Sequence, residues 1–307
     1  MTVQPARPLV SSLPGAQASR LCGGTGVPYP QYALTRDPAT GALWSACRTQ
    51  GLLHRIDPES GETRAILRVT STPYAIAAGL GAVWSAERSP MVNRINLRTG
   101  QATSAVTGGD FSYVWTAAGS VWAADDEASA LLRYDPAARR TVASIPTGNG
   151  TSALAEEAGR IWILNHRDGT LQQVSPANTA ITLARLPGDA PERMVYAEGS
   201  LWVTGRGTDL LRVDPATGAV QATIEIGAGG IDVRAAAHSI WVAAPTDEED
   251  RRGNPFLDRL LRIDPMTNTV TATIRPTAPV VVNGTASTGD ALWIADTAGG
   301  RLYRVSP

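Results

Sequence analysis

The chain has 307 residues, 27 of them basic and 28 acidic, for a net charge of -1, and this balance gives no electrostatic footprint for nucleic acid or an anionic membrane. No apolar run approaches the roughly 18 residues that a membrane-spanning helix needs. A hydrophobic content of 43%, with 30 Gly and 21 Pro, suits many short strands joined by turns, and every basic residue is Arg.

One phrase recurs seven times along the chain: GALWSAC, GAVWSAE, GSVWAAD, GRIWILN, GSLWVTG, HSIWVAA and DALWIAD. It sets Trp44, Trp84, Trp122, Trp162, Trp202, Trp241 and Trp293 at spacings of 40, 38, 40, 40, 39 and 52 residues. Downstream of most of them lies a second phrase, as in LLHRIDPESGE or LLRVDPATGA, whose Asp-Pro core signals a turn between two apolar runs. Each unit reads as strand, Gly-containing turn, Trp strand, loop, strand, Asp-Pro turn, strand. Four short antiparallel strands in about 40 residues make a propeller blade. The predicted fold is therefore all-β: a single seven-bladed β-propeller domain, 1–307, of four-stranded antiparallel blades.

Residues 1–20 hold no apolar signal-peptide core. ARPLVSSLPG resembles the last strands of later units, such as AITLARLPG, while the final unit stops at RLYRVSP, one strand short. Residues 6–14 are thus expected to close the ring as the outer strand of the seventh blade. Cys22 lies in the segment entering the first blade, 25–70, and Cys47 within that blade; the two fall on one rim and are expected to pair in a disulfide, two reduced thiols being the alternative. With it we expect a secreted or periplasmic protein whose signal is absent from this chain, the alternative being cytoplasmic. Blades 2 to 7 follow as 71–108, 109–148, 149–188, 189–228, 229–276 and 277–307.

The loops entering each inner strand and those following each Trp strand share one rim, the top, and there the repeats differ. At the start of the inner strands one row reads Gln31, Tyr74, Ser112, Ser152, Glu192, Ile231, Asn283, and the next reads Tyr32, Ala75, Tyr113, Ala153, Arg193, Asp232, Gly284. After the Trp strands come Cys47, Glu87, Asp125, Asn165 and Asp296, followed by Arg48, Arg88, Asp126, His166 and Arg206. A fixed scaffold with a varied rim of Tyr, Arg, Glu, Asp and His reads as a presented site, with solvated loop ends as the competing explanation. Blade 6 holds about 12 extra residues in APTDEEDRRGNPFLD, a charged top-rim loop whose Phe256 could cover the channel as a lid or meet a partner.

The repeats resemble those of seven-bladed propellers of the virginiamycin B lyase-like and YVTN-repeat groups, PYAIAAGLGAVWSAE matching the former and LLRVDPATGAVQATIEIG the latter. The lyase resemblance implies elimination from a cyclic depsipeptide, with magnesium and top-rim His residues moving protons. Tyr74 fits that family's Pro-Tyr motif. The matching row has no His, and Gln31 and Asn283 cannot serve as bases, so streptogramin lyase activity is not expected.

Two functions from different classes fit. The first is a binding or sensor propeller, a monomer that takes a small molecule, peptide or protein on its top rim through Gln31, Tyr32, Tyr74, Tyr113, Glu192, Arg193, Asp232, Asn283, Arg48, Arg88 and Arg206. The second is a lyase-like or hydrolase-like enzyme with His166 or Glu192 as base, Tyr74 as acid or orienting group, and Arg193 or Arg88 holding an anionic group. No cofactor is expected beyond a divalent metal, for which Glu87, Asp125, Asn165 and Asp296 are weak oxygen-ligand candidates.

Overall fold

The computed structural model describes residues 17–20, 32–47, 50–70, 73–87, 90–175, 177–188, 190–227, 229–249, 255–296 and 300–306. They form 28 strands, numbered β1 to β28 in chain order, and no helix longer than a single turn. After β1 (Gln17–Arg20), the strands group in fours: β2–β5 over 32–68, β6–β9 over 75–107, β10–β13 over 111–146, β14–β17 over 151–185, β18–β21 over 191–225 and β22–β25 over 232–274. The last blade takes β26 (Val282–Ser287), β27 (Leu292–Asp296) and β28 (Arg301–Val305), with β1 as its outer strand. All pairings within the sheets are antiparallel, and the seven inner strands contact one another in a closed cycle, from β2 through β6, β10, β14, β18, β22 and β26 back to β2.

Ring closure by an N-terminal strand is as the sequence predicts, but its position differs. Gln17–Arg20 pairs antiparallel with Arg304–Arg301 and fills the place beside β28. The predicted segment, 6–14, lies outside the described residues.

The Trp row explains why the blades stack. All seven of these indoles are buried. Those of Trp84, Trp122, Trp202 and Trp241 donate Nε1–H to the carbonyl five residues earlier, at 3.0–3.3 Å, which ties the Trp strand to the end of the inner strand. A buried indole needs such a partner. Each seam between neighbouring blades has its own apolar cluster, and each cluster is built around members of this row.

The Asp-Pro turns behave as hairpin chemistry dictates. Asp57 accepts from the amides of Glu59 and Ser60 at 2.8 and 3.0 Å, and Asp214 accepts from those of Ala216 and Thr217 at 2.8 and 2.9 Å. Gly61 and Gly218 then take φ of 70° and 74°, the left-handed conformation that favours glycine.

The blade 6 surplus is mostly strand. It lengthens β23 (Ser239–Glu249) and β24 (Pro255–Asp264), which pair as far out as Glu249 with Pro255. Phe256 bridges Val281 and the Leu257 amide donates to the Val280 carbonyl at 2.8 Å, so the hairpin joins the segment leading into blade 7. On its other side Arg259 donates to the Ile226 carbonyl of blade 5 at 2.6 Å.

Candidate functional site: the central channel

The site is set by how each inner strand pairs with its Trp strand. Opposite the residue two places beyond the Trp stand Ala33, Ala75, Tyr113, Ala153, Arg193, Asp232 and Gly284, one from each blade. In the first blade this corrects the predicted row, because Tyr32 pairs with Cys47 and Ala33 takes its place. The span from Ala33 to Trp44 is 11 residues, against nine from Ala75 to Trp84, so the 37–42 turn is two residues longer. Ser112, Ser152, Glu192 and Asn283 of the preceding row sit at register shifts in their ladders, between 111 and 113, 151 and 153, 191 and 193, and 282 and 284. A bulge of this kind re-aims a side chain, and it does so differently in blades 3, 4 and 5. Ser112 Oγ donates to Asp126 at 2.7 Å, Glu192 accepts from Arg206 Nε at 3.0 Å, and Ser152 lines the channel.

The channel encloses a cavity of about 600 Å³ lined from all seven blades. Its walls are unequal. Blades 7, 1 and 2 contribute mostly small residues, Gly284, Ala286, Ala33 and Ala75 among them, whereas blades 3, 5 and 6 contribute Tyr113, Trp115, Arg193, Asp232 and Arg234. Its charged lining, completed by Arg36, comprises three arginines and one aspartate.

Asp232 and Arg234 neutralise each other. Arg234 Nη2 lies 3.0 Å from Asp232 Oδ2, which also accepts from Thr285 Oγ1 at 2.5 Å, and Arg234 Nη1 donates to the Val233 carbonyl at 3.2 Å. Arg193 is different. Its Nη1 donates to the Glu192 carbonyl at 3.2 Å, and its charge interacts with the Tyr113 side chain, which lines the same cavity. No carboxylate among the described residues lies within 4.0 Å of it. Burial alone would lower its pKa, but Tyr113, Asp232 and Glu192 raise it overall, so the guanidinium stays charged. Tyr113 stacks on Trp115 with centroids 5.7 Å apart and planes 16° from parallel. Sequence reasoning passed over Trp115 and Arg234, which lie two residues deeper on their strands. For Trp115 a signal was present: it is the one Trp of eight that falls outside the periodic row.

Of the other candidates, Tyr74 lines the channel, half-buried. Gln31, Arg48 and Arg88 lie outside the described residues. His166 donates Nδ1–H to the Gly150 carbonyl at 2.7 Å, Glu192 is held by Arg206, and neither lines the cavity. The oxygen-ligand candidates do not converge, because each serves its own blade. Glu87 accepts from Asn93 at 2.9 Å, Asp125 from the amides of Asp110 and Ala128, Asn165 from Thr151 at 2.8 Å and Asp296 from the Val281 amide at 3.1 Å. Among the described residues no three His, Cys, Asp or Glu side chains gather where they could hold a metal. Cys47 is disulfide-bonded, and the sequence has one other cysteine, Cys22, outside the described residues.

No family model and no curated protein matches the sequence. Solved structures share the fold. The virginiamycin B lyase of Staphylococcus aureus, as a catalytically inactive variant with quinupristin, is 12% identical over 95% of this chain and 99% of its own, with a TM-score of 0.74. A streptogramin B lyase is 15% identical over 94% of this chain and 96% of its own, with a TM-score of 0.72. A chain of the mitotic checkpoint complex is 12% identical over 100% of this chain and 99% of its own, with a TM-score of 0.75. At such identities the likeness carries the seven-bladed fold, and the varied neighbours leave the activity to be argued from the site.

Proposed function

We propose that this propeller is a non-catalytic binding protein whose central channel takes a small anionic molecule. The observation that carries the reading is Arg193, a cation with no carboxylate within 4.0 Å among the described residues, which faces a cavity of about 600 Å³ that blades 7, 1 and 2 line mostly with small residues. A charge in a partly dry site is costly unless paired, and an incoming anion supplies the pair. Catalysis is disfavoured because it needs two titratable groups converging on one point, and His166 and Glu192 are each turned to other partners away from the lining. The bonded Cys47 supports an oxidising, extracytoplasmic setting.

A thermal-shift panel of inorganic phosphate, citrate, benzoate, spermidine and glucose tests this on the wild type and on Arg193→Met. An anion present at about 100 times its Kd should stabilise the wild type by about 2.7 kcal/mol. That shift should weaken with added salt and vanish in Arg193→Met. Stabilisation by spermidine or glucose alone, or by anions equally in both proteins, would overturn the proposal.

A further inference from the structure

Resting on the anionic-ligand reading, we infer that the ligand is an aromatic monocarboxylate, its ring on the Tyr113–Trp115 wall and its carboxylate on Arg193. Arg36, the third arginine of the lining, ends its strand, away from the row of Tyr113 and Arg193, so the charge balance at that row argues for one negative charge. Arg234 is already paired with Asp232, whereas Arg193, beside the aromatic wall, feels Asp232 and Glu192 at longer range and has no carboxylate within 4.0 Å among the described residues. A guanidinium has five N–H donors in a planar fork that matches a carboxylate, and the contact of Arg193 with the Glu192 carbonyl leaves most of that fork unspent.

The ring is argued from Trp115. At its depth the other inner strands carry Thr35, Ala77, Ala155, Val195, Arg234 and Ala286, so nothing in the blade repeat calls for an indole there. Packing in blade 3 is already provided by Trp122, which is buried and covered by the Arg133 guanidinium at 5.5 Å. One side of Trp115 packs against the seam cluster of Trp122 and Ile163, yet the ring stays half-buried, extends Tyr113 into a two-ring wall and lines the cavity. Arg193 and Tyr113 line the same cavity and interact electrostatically, so cation and aromatic wall face one space. The small residues Gly284, Ala286, Ala33 and Ala75 among the lining of blades 7, 1 and 2 leave space for a flat ring, which gains stacking that a saturated ring of the same size does not.

The test compares 2-naphthoate, benzoate, cyclohexanecarboxylate and benzamide by titration calorimetry on the full chain. Benzoate should bind about tenfold more tightly than cyclohexanecarboxylate, 2-naphthoate should exceed benzoate, and neutral benzamide should be weakest. Trp115→Leu should erase the preference for aromatic over saturated rings, and Trp115→Phe, which keeps a ring in the wall, should preserve most of it. Arg193→Met should lose all three carboxylates. If cyclohexanecarboxylate binds as well as benzoate, the aromatic assignment is overturned while the anion reading stands. If benzamide equals benzoate, both are overturned. If no carboxylate binds, the aromatic assignment falls, and the response to phosphate and citrate in the thermal-shift panel decides the anion reading separately.

Discussion

Both ring nitrogens of His54 are buried without a hydrogen-bond partner, and so is Oγ of Ser45, the residue opposite it in the ladder. By strand alternation His54 shares a face with Leu52 and Ile56, which pack with Trp293 and Leu302 of the last blade, so a neutral imidazole sits in the seam where the ring closes. Burial lowers its pKa below the ordinary value of 6.5. Unfolded chains therefore bind a proton that the folded one refuses as the pH falls below about 6.5, and stability rises with pH through this window and is lost on acidification. The midpoint of thermal unfolding should drop between pH 7.5 and 5 in the wild type, and His54→Leu should flatten that slope. Leucine should also remove the cost of an unsatisfied buried polar group, about 1–3 kcal/mol. Parallel pH curves for the two proteins would refute this role. At this scale the site was partly legible: Tyr113, Arg193 and Asp232 stand in the predicted row and line the channel. Ala33 was missed because a longer turn shifts the register of its blade, and Trp115 because its exception to the Trp period went unused.

The turns and the third strands show what a repeat reveals about its elements. In the Asp-Pro turns backbone amides hold the carboxylates in the charged form. The amides of Ser60 and Glu59, with Arg64, lower the Asp57 pKa to about 2, and paired amides lower Asp135 and Asp214 in the same way. A carboxylate depressed in the folded state stabilises above its unfolded pKa, near 3.9, and that contribution is lost as the pH falls towards 2. Blade 2 already uses Asn96 in this turn, accepting from the amides of Arg98 and Thr99 at 2.9 and 3.2 Å. Combining Asp57→Asn, Asp135→Asn and Asp214→Asn should therefore keep the hairpins and flatten the acid limb of the unfolding midpoint below pH 4. The effect should be modest, since these turns are solvated; an unchanged acid limb would assign acid sensitivity elsewhere. A second device was visible in the sequence but unread. The Arg of the LLR phrase covers the Trp ring of its own blade, Arg133 at 5.5 Å and Arg212 at 5.3 Å. It also reaches the turn of the next blade, Arg133 to Asn178 at 3.2 Å and Arg212 to the Pro265 carbonyl at 2.7 Å. Strand order and turn chemistry were legible because they repeat, whereas the bulges at Ser112, Ser152 and Glu192 were not, since a ladder irregularity leaves no periodic trace.

For the whole molecule the decisive contact is the seam that joins the two ends of the chain. Six blades take all four strands from consecutive chain, so each can pair before its neighbour is complete. The seventh cannot, because its outer strand β1 is separated from β28 by nearly the whole sequence, and its register of four residue pairs forms only when the ring closes. Loop-closure entropy opposes such a long-range pairing, while the apolar cluster of Leu43, Ile56, Trp293 and Leu302 between the first and last blades favours it. A chain lacking residues 1–20 should keep its blades but expose the edge of β28. Its unfolding midpoint should fall by several degrees, and size-exclusion chromatography should show association that rises with concentration, as unpaired edges invite. Adding the 1–20 peptide in trans should restore the midpoint and suppress the association, because the open edge offers it the same ladder. If the truncated chain matched the intact one in both measurements, closure would reside in the packing between the first and last blades, with β1 an accessory strand.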